Sequence, residues 1–309
     1  MAMEAELAAT SSVDGFVQNS FEEYLQTPGL NIGTLVNGLT SPQHLKAALD
    51  GRLKKDSPAL AFGRAMHARI LEPDVYFKEF TVSPGCQAEI KSGASKGQAC
   101  GNHATWLYQG QWLCGVHKPK ALADISAPEK NVLSEDEAAR IEAIASAIKN
   151  HDVVKLLRQR GGFEVSAQFH MDGIQCKMRL DKFIPRTTTS LPPVVIDVKK
   201  VGLGKATDEE IGRSVVNYHY LPKAAWYVDG VRALVGEPAT FVWIFVEDEY
   251  PHGIAVKQAD AMDLAIGRAN YREALQMYRH GMATGEWPGY STRIGVGVAP
   301  EWYRRKFAG

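Results

Sequence analysis

The stretch VVIDVKK (residues 194–200) decides the fold. It begins with three branched apolar residues, the composition of a strand buried in a sheet. Asp197 and Lys199 lie two residues apart, and because side chains alternate along a strand, these two charges share one face. Buried charges are costly unless they are paired or bind a metal. The stretch therefore predicts a core strand that carries an acid and a base into a functional site.

The bulk composition is that of an ordinary globular protein. The chain has 309 residues, 45% of them hydrophobic and 23% charged, with 35 basic and 35 acidic residues. Because the net charge is zero, we expect no overall electrostatic attraction to polyanions, although a local basic groove would still bind nucleic acid. The N-terminus carries acids and lacks the apolar core of a signal peptide, and no segment approaches the roughly 18 apolar residues of a membrane span. We expect a soluble, cytoplasmic protein without a membrane partner.

Periodicity and caps predict a mixed α/β chain. Short helices broken by Gly and Pro occupy residues 1–56, and a longer helix runs from Ser57-Pro58 to Glu72. A capping box at Ser134–Glu137 opens another helix, to about Arg158. Three strands, a helical region, two strands and a C-terminal helix follow. The inward face of the helix after Ser57 is predicted to carry Leu60, Gly63, His67 and Ile70.

A hairpin is predicted at Asp172-Gly173, which lies between two alternating runs. A two-residue turn pairs Met171 with Ile174, and further along the ribbon Glu164 with Asp181. The apolar face then consists of Val165, Ala167, Phe169, Cys176, Met178 and Leu180. The polar face consists of Glu164, Ser166, Gln168, His170, Gln175, Lys177, Arg179 and Asp181.

Two carboxylates face each other on this ribbon. Opposed like charges are destabilising by several tenths of a kcal/mol, so a divalent cation between Glu164 and Asp181 would be an economical compensation. Two alternatives stay open: the face is solvated and balanced by Lys177 and Arg179, or a one-residue slip moves Glu164 to the other side. If the strand 194–200 lies beside the hairpin, Asp197 and Lys199 join the cluster. Three carboxylates and a lysine suit Mg²⁺ or Mn²⁺ and hydrolysis of a phosphodiester.

These residues resemble a known nuclease family. Asp181 followed by Asp197-Val-Lys199 is similar to the D…(D/E)xK signature of the PD-(D/E)xK nuclease superfamily. Within it, the chain resembles the RecE-like (exodeoxyribonuclease VIII-type) exonucleases and, more distantly, lambda exonuclease. The pieces that carry this resemblance are AMHARILEP, FEVSAQF, CKMRLDKF, VVIDVKK and YHYLPKAAWYVDG, in that order. The resemblance implies a restriction-endonuclease-like α/β core, in which helices flank a central mixed sheet.

The resemblance also implies roles for individual residues. Asp181 and Asp197 would be ligands of Mg²⁺ or Mn²⁺, Glu164 would support metal binding, and Lys199 would be the catalytic lysine. His67 matches the family's active-site histidine near the metals. The family's helix usually reads Tyr-x-x-Gln-Ala-Ala-x-Tyr, whereas this chain has Lys223 in place of the Gln. Lys223 could contact a phosphate or mark altered activity, and we take Lys223, Tyr220 and Arg179 as candidate DNA contacts.

A Cys- and His-rich segment interrupts the helical pattern. Three of the chain's four cysteines lie within it, and in a reducing compartment such clustering favours a metal over disulfides. One possible zinc set is Cys86, Cys100, Cys114 and His117, which resembles small Cys₃His modules and is the set we favour. The other is Cys100, His103, Cys114 and His117. A closed tetrahedral site would be structural, because so short a segment cannot build a stable core alone.

The sequence thus predicts three parts. Residues 1–83 are the N-terminal helical part of a nuclease domain, 84–120 a zinc-binding insert, and 121–309 the nuclease core with a C-terminal helix. By resemblance, the protein degrades linear double-stranded DNA from 5′ to 3′ and exposes 3′ strands for a single-strand annealing recombinase of phage type. Family members form rings, which implies a homo-oligomer, a trimer or a tetramer. The alternatives are an endonuclease of the same superfamily and a catalytically decayed DNA-binding protein.

Overall fold

The computed structural model describes residues 15–53, 57–119, 131–152, 154–155, 159–186, 191–291, 293–297 and 299–307. Their contacts divide into a larger unit, built from the described residues of Met1–Ile32 and Lys55–Ala269, and a smaller unit, built from those of Gly33–Lys54 and Asn270–Gly309. Among the described residues no helix has both the length and the apolar character that a membrane span requires.

The chain is a mixed α/β protein, as predicted. The strands are β1 (Phe16–Gln18), β2 (Thr81–Ser83), β3 (Trp106–Tyr108), β4 (Gln111–Leu113), β5 (Val132–Ser134), β6 (Gly162–Met171), β7 (Ile174–Ile184), β8 (Val194–Val201), β9 (Thr240–Glu247) and β10 (Ile254–Gln258). The helices are α1 (Phe21–Gln26), α2 (Ile32–Leu35), α3 (Pro42–Leu49), α4 (Pro58–Leu71), α5 (Pro73–Glu79), α6 (Glu135–Asn150), α7 (Asp208–Asn217), α8 (Tyr220–Val235), α9 (Ala261–Thr284) and α10 (Glu301–Arg304). A 3₁₀ helix, Val36–Leu39, follows α2.

A six-stranded mixed sheet forms the centre of the larger unit, in the order β1-β6-β7-β8-β9-β10. β8 and β9 are parallel, and the other neighbouring pairs of this sheet are antiparallel. Parallel neighbours need a long crossover, which α7 and α8 supply between β8 and β9. VVIDVKK is therefore an interior strand, with a partner on each side.

Helices cover both faces of this sheet. On one face, α4 and α6 contribute Phe62, Met66, Ile141 and Ile144 to a core cluster with apolar residues of β8 and β9. On the other face, α8 packs against the hairpin. Its Trp226 ring lies edge-on against Phe169, with the ring centroids 5.4 Å apart.

Two predicted details of the helices need correction. The Ser134 capping box is present, but α6 ends at Asn150 rather than near Arg158, and residues 156–158 lie outside the described part of the chain. In α4, Leu60 is 46% exposed, and the buried residues are Phe62, Ala65, Met66 and Leu71. This helix has apolar residues on more than one side, so packing against the sheet and α6 selects the buried face.

The two remaining parts are small. The segment between β2 and β5 contains the β3–β4 hairpin and its own cluster of Cys86, Ala104, Trp106, Leu113 and Cys114. The smaller unit joins α3 to the C-terminal segment, where the Gln43 amide donates to the Pro288 carbonyl at 3.1 Å.

Candidate metal centre

The β6–β7 hairpin has the predicted register. Met171 pairs with Ile174 and Ser166 pairs with Arg179. The predicted apolar face is buried: Val165, Ala167, Phe169, Cys176, Met178 and Leu180 are each at most 6% exposed. On the polar face, Ser166 and Lys177 are also buried, at 5% exposure each, so the alternative of a solvated face does not hold there. Lys177 is satisfied by the carbonyls of Tyr24, Leu25 and Thr27 at the end of α1.

The ladder is interrupted where Glu164 and Asp181 face each other. Pairing runs from Val165–Leu180 directly to Phe163–Lys182, and Glu164 adopts a left-handed backbone with φ of 49°. Side chains on the two sides of this point pack against different helices. Met178 packs against α8, whereas Ile184 belongs to the cluster under α4 and α6. A regular strand would place residues six apart on one face, so the interruption turns the ribbon. Both carboxylates thereby leave the ladder.

Asp181 bridges β7 and β8 where their backbones are no longer paired. The described β7–β8 pairing ends at Lys182–Ile196, and the Val198 amide donates instead to Asp181 Oδ2 at 2.7 Å. His67, from α4, lies against the same strand, with Nε2 2.8 Å from the Val198 carbonyl and Nδ1 3.6 Å from Asp181 Oδ2. A contact with a carbonyl needs a proton on Nε2, which leaves the lone pair of a neutral imidazole on Nδ1. One strand therefore orients both groups.

Three potential ligands converge at this point. One ligand atom each from His67, Glu164 and Asp181 lie within 4.8 Å of one another. Two carboxylate oxygens and an imidazole nitrogen match the ligand preferences of Mn²⁺ and are compatible with Mg²⁺. The residues thus fit a divalent cation of the predicted kind.

Arg179 supports Glu164 from behind. Its Nε donates to Glu164 Oε2 at 2.6 Å, and its NH1 group donates to the Asn19 carbonyl and to Ser166 Oγ. Glu72, at the end of α4, lies 3.8 Å from the same guanidinium. With its side chain only 8% exposed, Arg179 is placed to hold Glu164, and its contact with DNA stays a prediction.

The electrostatic environment of Glu164 is strongly perturbed. Burial, and then repulsion by Asp181, raises its pKa to about 7, although the Arg179 guanidinium opposes both effects. The charged form of such a carboxylic acid is unfavourable in the folded protein, and a bound cation would stabilise that charged form. A cation bound beside these two carboxylates would replace the proton of Glu164.

Asp197 and Lys199 form the second part of the site and share a face, as predicted. Lys199 Nζ lies 2.5 Å from Asp197 Oδ2, and Asp197 is not among the three converging ligands. Burial raises the pKa of Asp197, with Lys199 opposing this effect and Asp181 adding to it. Burial lowers the pKa of Lys199, but attraction to Asp197 and Asp181 outweighs it, and the net shift is upward. Lys199 is therefore a fixed cation beside the ligands.

Helix α8 presents a polar face to this pair. Tyr220, Lys223 and Tyr227 lie at helical spacings of three and four, so they share one side. The Lys199 ammonium lies 5.6 Å from the centroid of the Tyr220 ring. Burial, followed by the charge of Asp197, raises the pKa of Tyr227 well above its usual range.

Glu72 and Tyr227 are two residues near the site that were not predicted as site residues. The signals were present: Glu72 follows His67 by five residues at the end of the helix, and Tyr227 follows Tyr220 by two turns.

The Cys/His segment brings together the favoured zinc set. One ligand atom each of Cys86, Cys100, Cys114 and His117 lie within 4.8 Å of one another. His117 Nδ1 is 3.5 Å from Cys86 Sγ and 3.4 Å from Cys114 Sγ. Burial acts to raise the pKa of Cys114, but hydrogen bonds from the backbone of His117 and Val116 outweigh it and lower the pKa to about 7. His103 is exposed and lies outside this group.

Comparisons with known proteins agree with this architecture. A family described as a PDDEXK-like domain of unknown function (DUF3799) matches residues 32–296. The crystal structure of a presumed exonuclease from Eubacterium rectale superposes with a TM-score of 0.58 at 15% identity, over 95% of this chain and 99% of that chain. At that identity the likeness shows the fold. A second structure, of SSO0001, has a TM-score of 0.26 at 15% identity over 47% of this chain and 68% of that one, too low to carry an argument. No curated protein matches.

Proposed function

The chain belongs to the PDDEXK-like family of unknown function, and from this premise we propose that it is a metal-dependent nuclease. The observation that carries the proposal is the convergence of His67, Glu164 and Asp181 beside the Asp197–Lys199 pair. Acidic and imidazole ligands next to a fixed lysine are the parts that hydrolysis of a phosphodiester requires. Mg²⁺ or Mn²⁺ would be held by His67, Glu164 and Asp181, and Asp197 would add the carboxylate oxygen that is not paired with Lys199.

Each residue has a separate task in this reaction. The bound cation would activate water and neutralise charge on the phosphate. Lys199, held by Asp197, would stabilise the negative charge that develops on the phosphate oxygens. The water oxygen bonds to phosphorus, one P–O ester bond breaks, and a proton ends on the leaving oxygen. Arg179 keeps Glu164 in place, and the carbonyl of Val198 keeps the imidazole of His67 oriented.

The finer assignment rests on the resemblance of the motifs. We infer an exonuclease that degrades linear double-stranded DNA from 5′ to 3′ and leaves 3′ strands for an annealing recombinase of phage type. A ring-shaped homo-oligomer and a cytoplasmic location belong to the same inference, as does the division into parts at residues 84 and 121. Tyr220 is a candidate DNA contact.

A structural zinc ion in the insert is the second part of the proposal. It would be held by Cys86, Cys100, Cys114 and His117, whose ligand atoms all lie within 4.8 Å of one another and are of the types that a structural zinc ion takes. The small cluster around Trp106 and Leu113 is too limited to fold the segment alone, so the ion would supply stability.

Digestion of labelled DNA tests the nuclease proposal. Zinc-loaded protein is incubated with Mg²⁺ or Mn²⁺ and linear duplexes labelled at the 5′ or the 3′ end, with closed circles in parallel. Progressive release of 5′ label, with circles intact, is the expected result. Cleavage of circles would favour the endonuclease.

Variants show whether the activity belongs to this protein or to a contaminating nuclease. Asp181→Asn and Asp197→Ala should each abolish release of label, whereas Asp152→Asn, at a surface pair with Lys155, should not. If linear duplex stays intact with either metal and Asp197→Ala changes nothing, the protein is a decayed DNA-binding member and the nuclease proposal is lost.

A further inference from the structure

Lys223 differs from the other lysines near the site. Among the residues that the structure describes, its ammonium has no hydrogen-bond or ion-pair partner, and its ring contact is Tyr220 at 5.4 Å. By contrast, Lys199 is paired with Asp197, while Lys177 and Lys182 donate to backbone carbonyls. The ammonium is partly exposed and has no partner among the described residues, so it is available to an anion that arrives with a ligand.

Lys223 lies beside Tyr220, whose ring is also next to Lys199 of the candidate metal centre. It shares a face of α8 with Tyr220 and Tyr227 and interacts electrostatically with both Asp197 and Asp181. Burial, and then repulsion by Lys199, lowers the pKa of Lys223, and the two carboxylates only partly offset these effects. The ammonium groups of Lys223 and Lys199 lie 5.4 Å and 5.6 Å from the centroid of the same Tyr220 ring, and Lys199 already occupies one oxygen of Asp197.

The ligands present are sufficient for a single cation. Two-metal sites hold ions about 3.5–4 Å apart and need carboxylates that bridge them. Here Asp181 Oδ2 accepts from the Val198 amide, Asp197 Oδ2 is paired with Lys199, and Glu164 Oε2 is held by Arg179. The three converging ligand atoms define one position, and the side of the site nearest Asp197 carries positive charge already.

We propose that Lys223 binds a non-bridging oxygen of the phosphate being hydrolysed and takes the electrostatic place of a second divalent cation. This inference rests on the proposed nuclease function. A lysine supplies positive charge to the phosphate without needing ligands of its own, so one Mg²⁺ or Mn²⁺ would be enough for hydrolysis. The bound phosphate in turn satisfies the ammonium.

The test combines Lys223→Met and Lys223→Gln with a control, Lys78→Met, which removes an exposed lysine on α5. In single-turnover digestion of linear duplex at saturating Mg²⁺, both Lys223 variants should be about 100-fold slower than wild type, and the control should not differ. Their melting temperatures should stay close to that of wild type, because the Lys223 ammonium makes no hydrogen bond or ion pair among the described residues.

Electron paramagnetic resonance counts the metal directly. The zinc-loaded protein is bound to a duplex with phosphorothioate linkages that resist hydrolysis, and Mn²⁺ is titrated in. One Mn²⁺ per chain, without manganese–manganese coupling, is expected for wild type and Lys223→Met.

Two coupled Mn²⁺ ions in wild type, or undiminished cleavage by both Lys223 variants, overturn the inference and leave the nuclease proposal standing. A lowered melting temperature together with slow cleavage would assign Lys223 a structural role and also overturn it. Absence of cleavage by wild type would overturn the nuclease proposal, and this inference with it.

Discussion

Arg179 holds Glu164 in the candidate metal centre and lies beside Glu72. We expect Arg179→Met to lower the free energy of unfolding by about 3–5 kcal/mol, since two partly buried carboxylates lose their cation. Affinity for Mn²⁺ should fall as well, because Glu164 is no longer positioned. Urea denaturation and Mn²⁺ titration measure the two effects.

Arg69→Met is the matched control. It removes a guanidinium from a bidentate pair with Glu142, which is 47% exposed, and should cost no more than about 1 kcal/mol. If both variants lowered the free energy of unfolding by the same amount, the Arg179 network would contribute no more stability than an ordinary surface ion pair.

The raised pKa of Glu164 predicts how the effect of metal on stability varies with pH. In the folded protein this pKa is about 7, above its ordinary value of 4.5, so the stabilising contribution of the bound proton is present below the lower value and lost as pH rises through 7. A cation binds the ionised carboxylate and replaces the lost stability. The gain in melting temperature on adding Mn²⁺ should therefore grow from pH 6 to pH 8.

Glu164→Gln serves as the control for this pH dependence. The amide does not titrate and is a weaker ligand, so its gain from Mn²⁺ should be smaller than that of wild type and should grow less from pH 6 to pH 8. A gain in wild type that does not change between pH 6 and 8 would contradict the assignment of Glu164 as a metal ligand.

At the scale of elements, the position of α8 depends on its contact with α9. A Cβ on Gly267 would lie 2.2 Å from the carbonyl oxygen of Leu221, which immediately follows Tyr220. Gly267→Ala should destabilise the protein by about 1–3 kcal/mol and slow cleavage, because α8 must move. Gly212→Ala, at an exposed position of α7 with nothing within 4 Å, should instead stabilise by about 0.5–1 kcal/mol. Thermal unfolding of both variants measures this contrast, and a destabilised Gly212→Ala would refute it.

The elements also show what the sequence could predict. Asp172-Gly173 determined the hairpin register because a two-residue turn fixes every later pair. The interruption at Glu164 was not predictable, because a left-handed backbone at a glutamate has no local signal and depends on surrounding contacts. The buried face of α4 was misassigned for a related reason, since its apolar residues fit more than one face until the sheet and α6 select one.

On the scale of the whole molecule, the proposed zinc-binding insert should respond to metal separately from the sheet. Its cluster shares no residue with the core under α4 and α6. We expect Cys114→Ser or chelation to remove one zinc per chain and to expose Trp106 and Trp112, while the sheet stays folded. Metal analysis, tryptophan fluorescence and limited proteolysis follow these changes.

His103→Gln and His117→Gln distinguish the two ligand sets. Only the second should lose zinc, because His103 lies outside the converging group. Zinc lost from His103→Gln and retained by His117→Gln would reverse the ligand assignment.

The division into two units could not be predicted from the sequence. The smaller unit joins residues 33–54 to residues after 269, and no periodicity or motif links segments so far apart. More of the candidate metal centre could be predicted, because strand alternation placed Asp197 and Lys199 on one face. That Asp197 pairs with Lys199 instead of joining the three converging ligands depends on side-chain packing that alternation does not describe.

The left-handed backbone of Glu164 has a consequence for how this chain responds to selection. Glycine would relax a φ of 49° but would also remove the carboxylate that pairs with the buried Arg179, so the two effects on stability oppose each other. In a library scored for both cellular abundance and DNA degradation, glycine at this position should therefore change the first score little and abolish the second. Selection for abundance alone would not preserve this glutamate, whereas selection for the proposed DNA degradation would keep it together with its left-handed backbone.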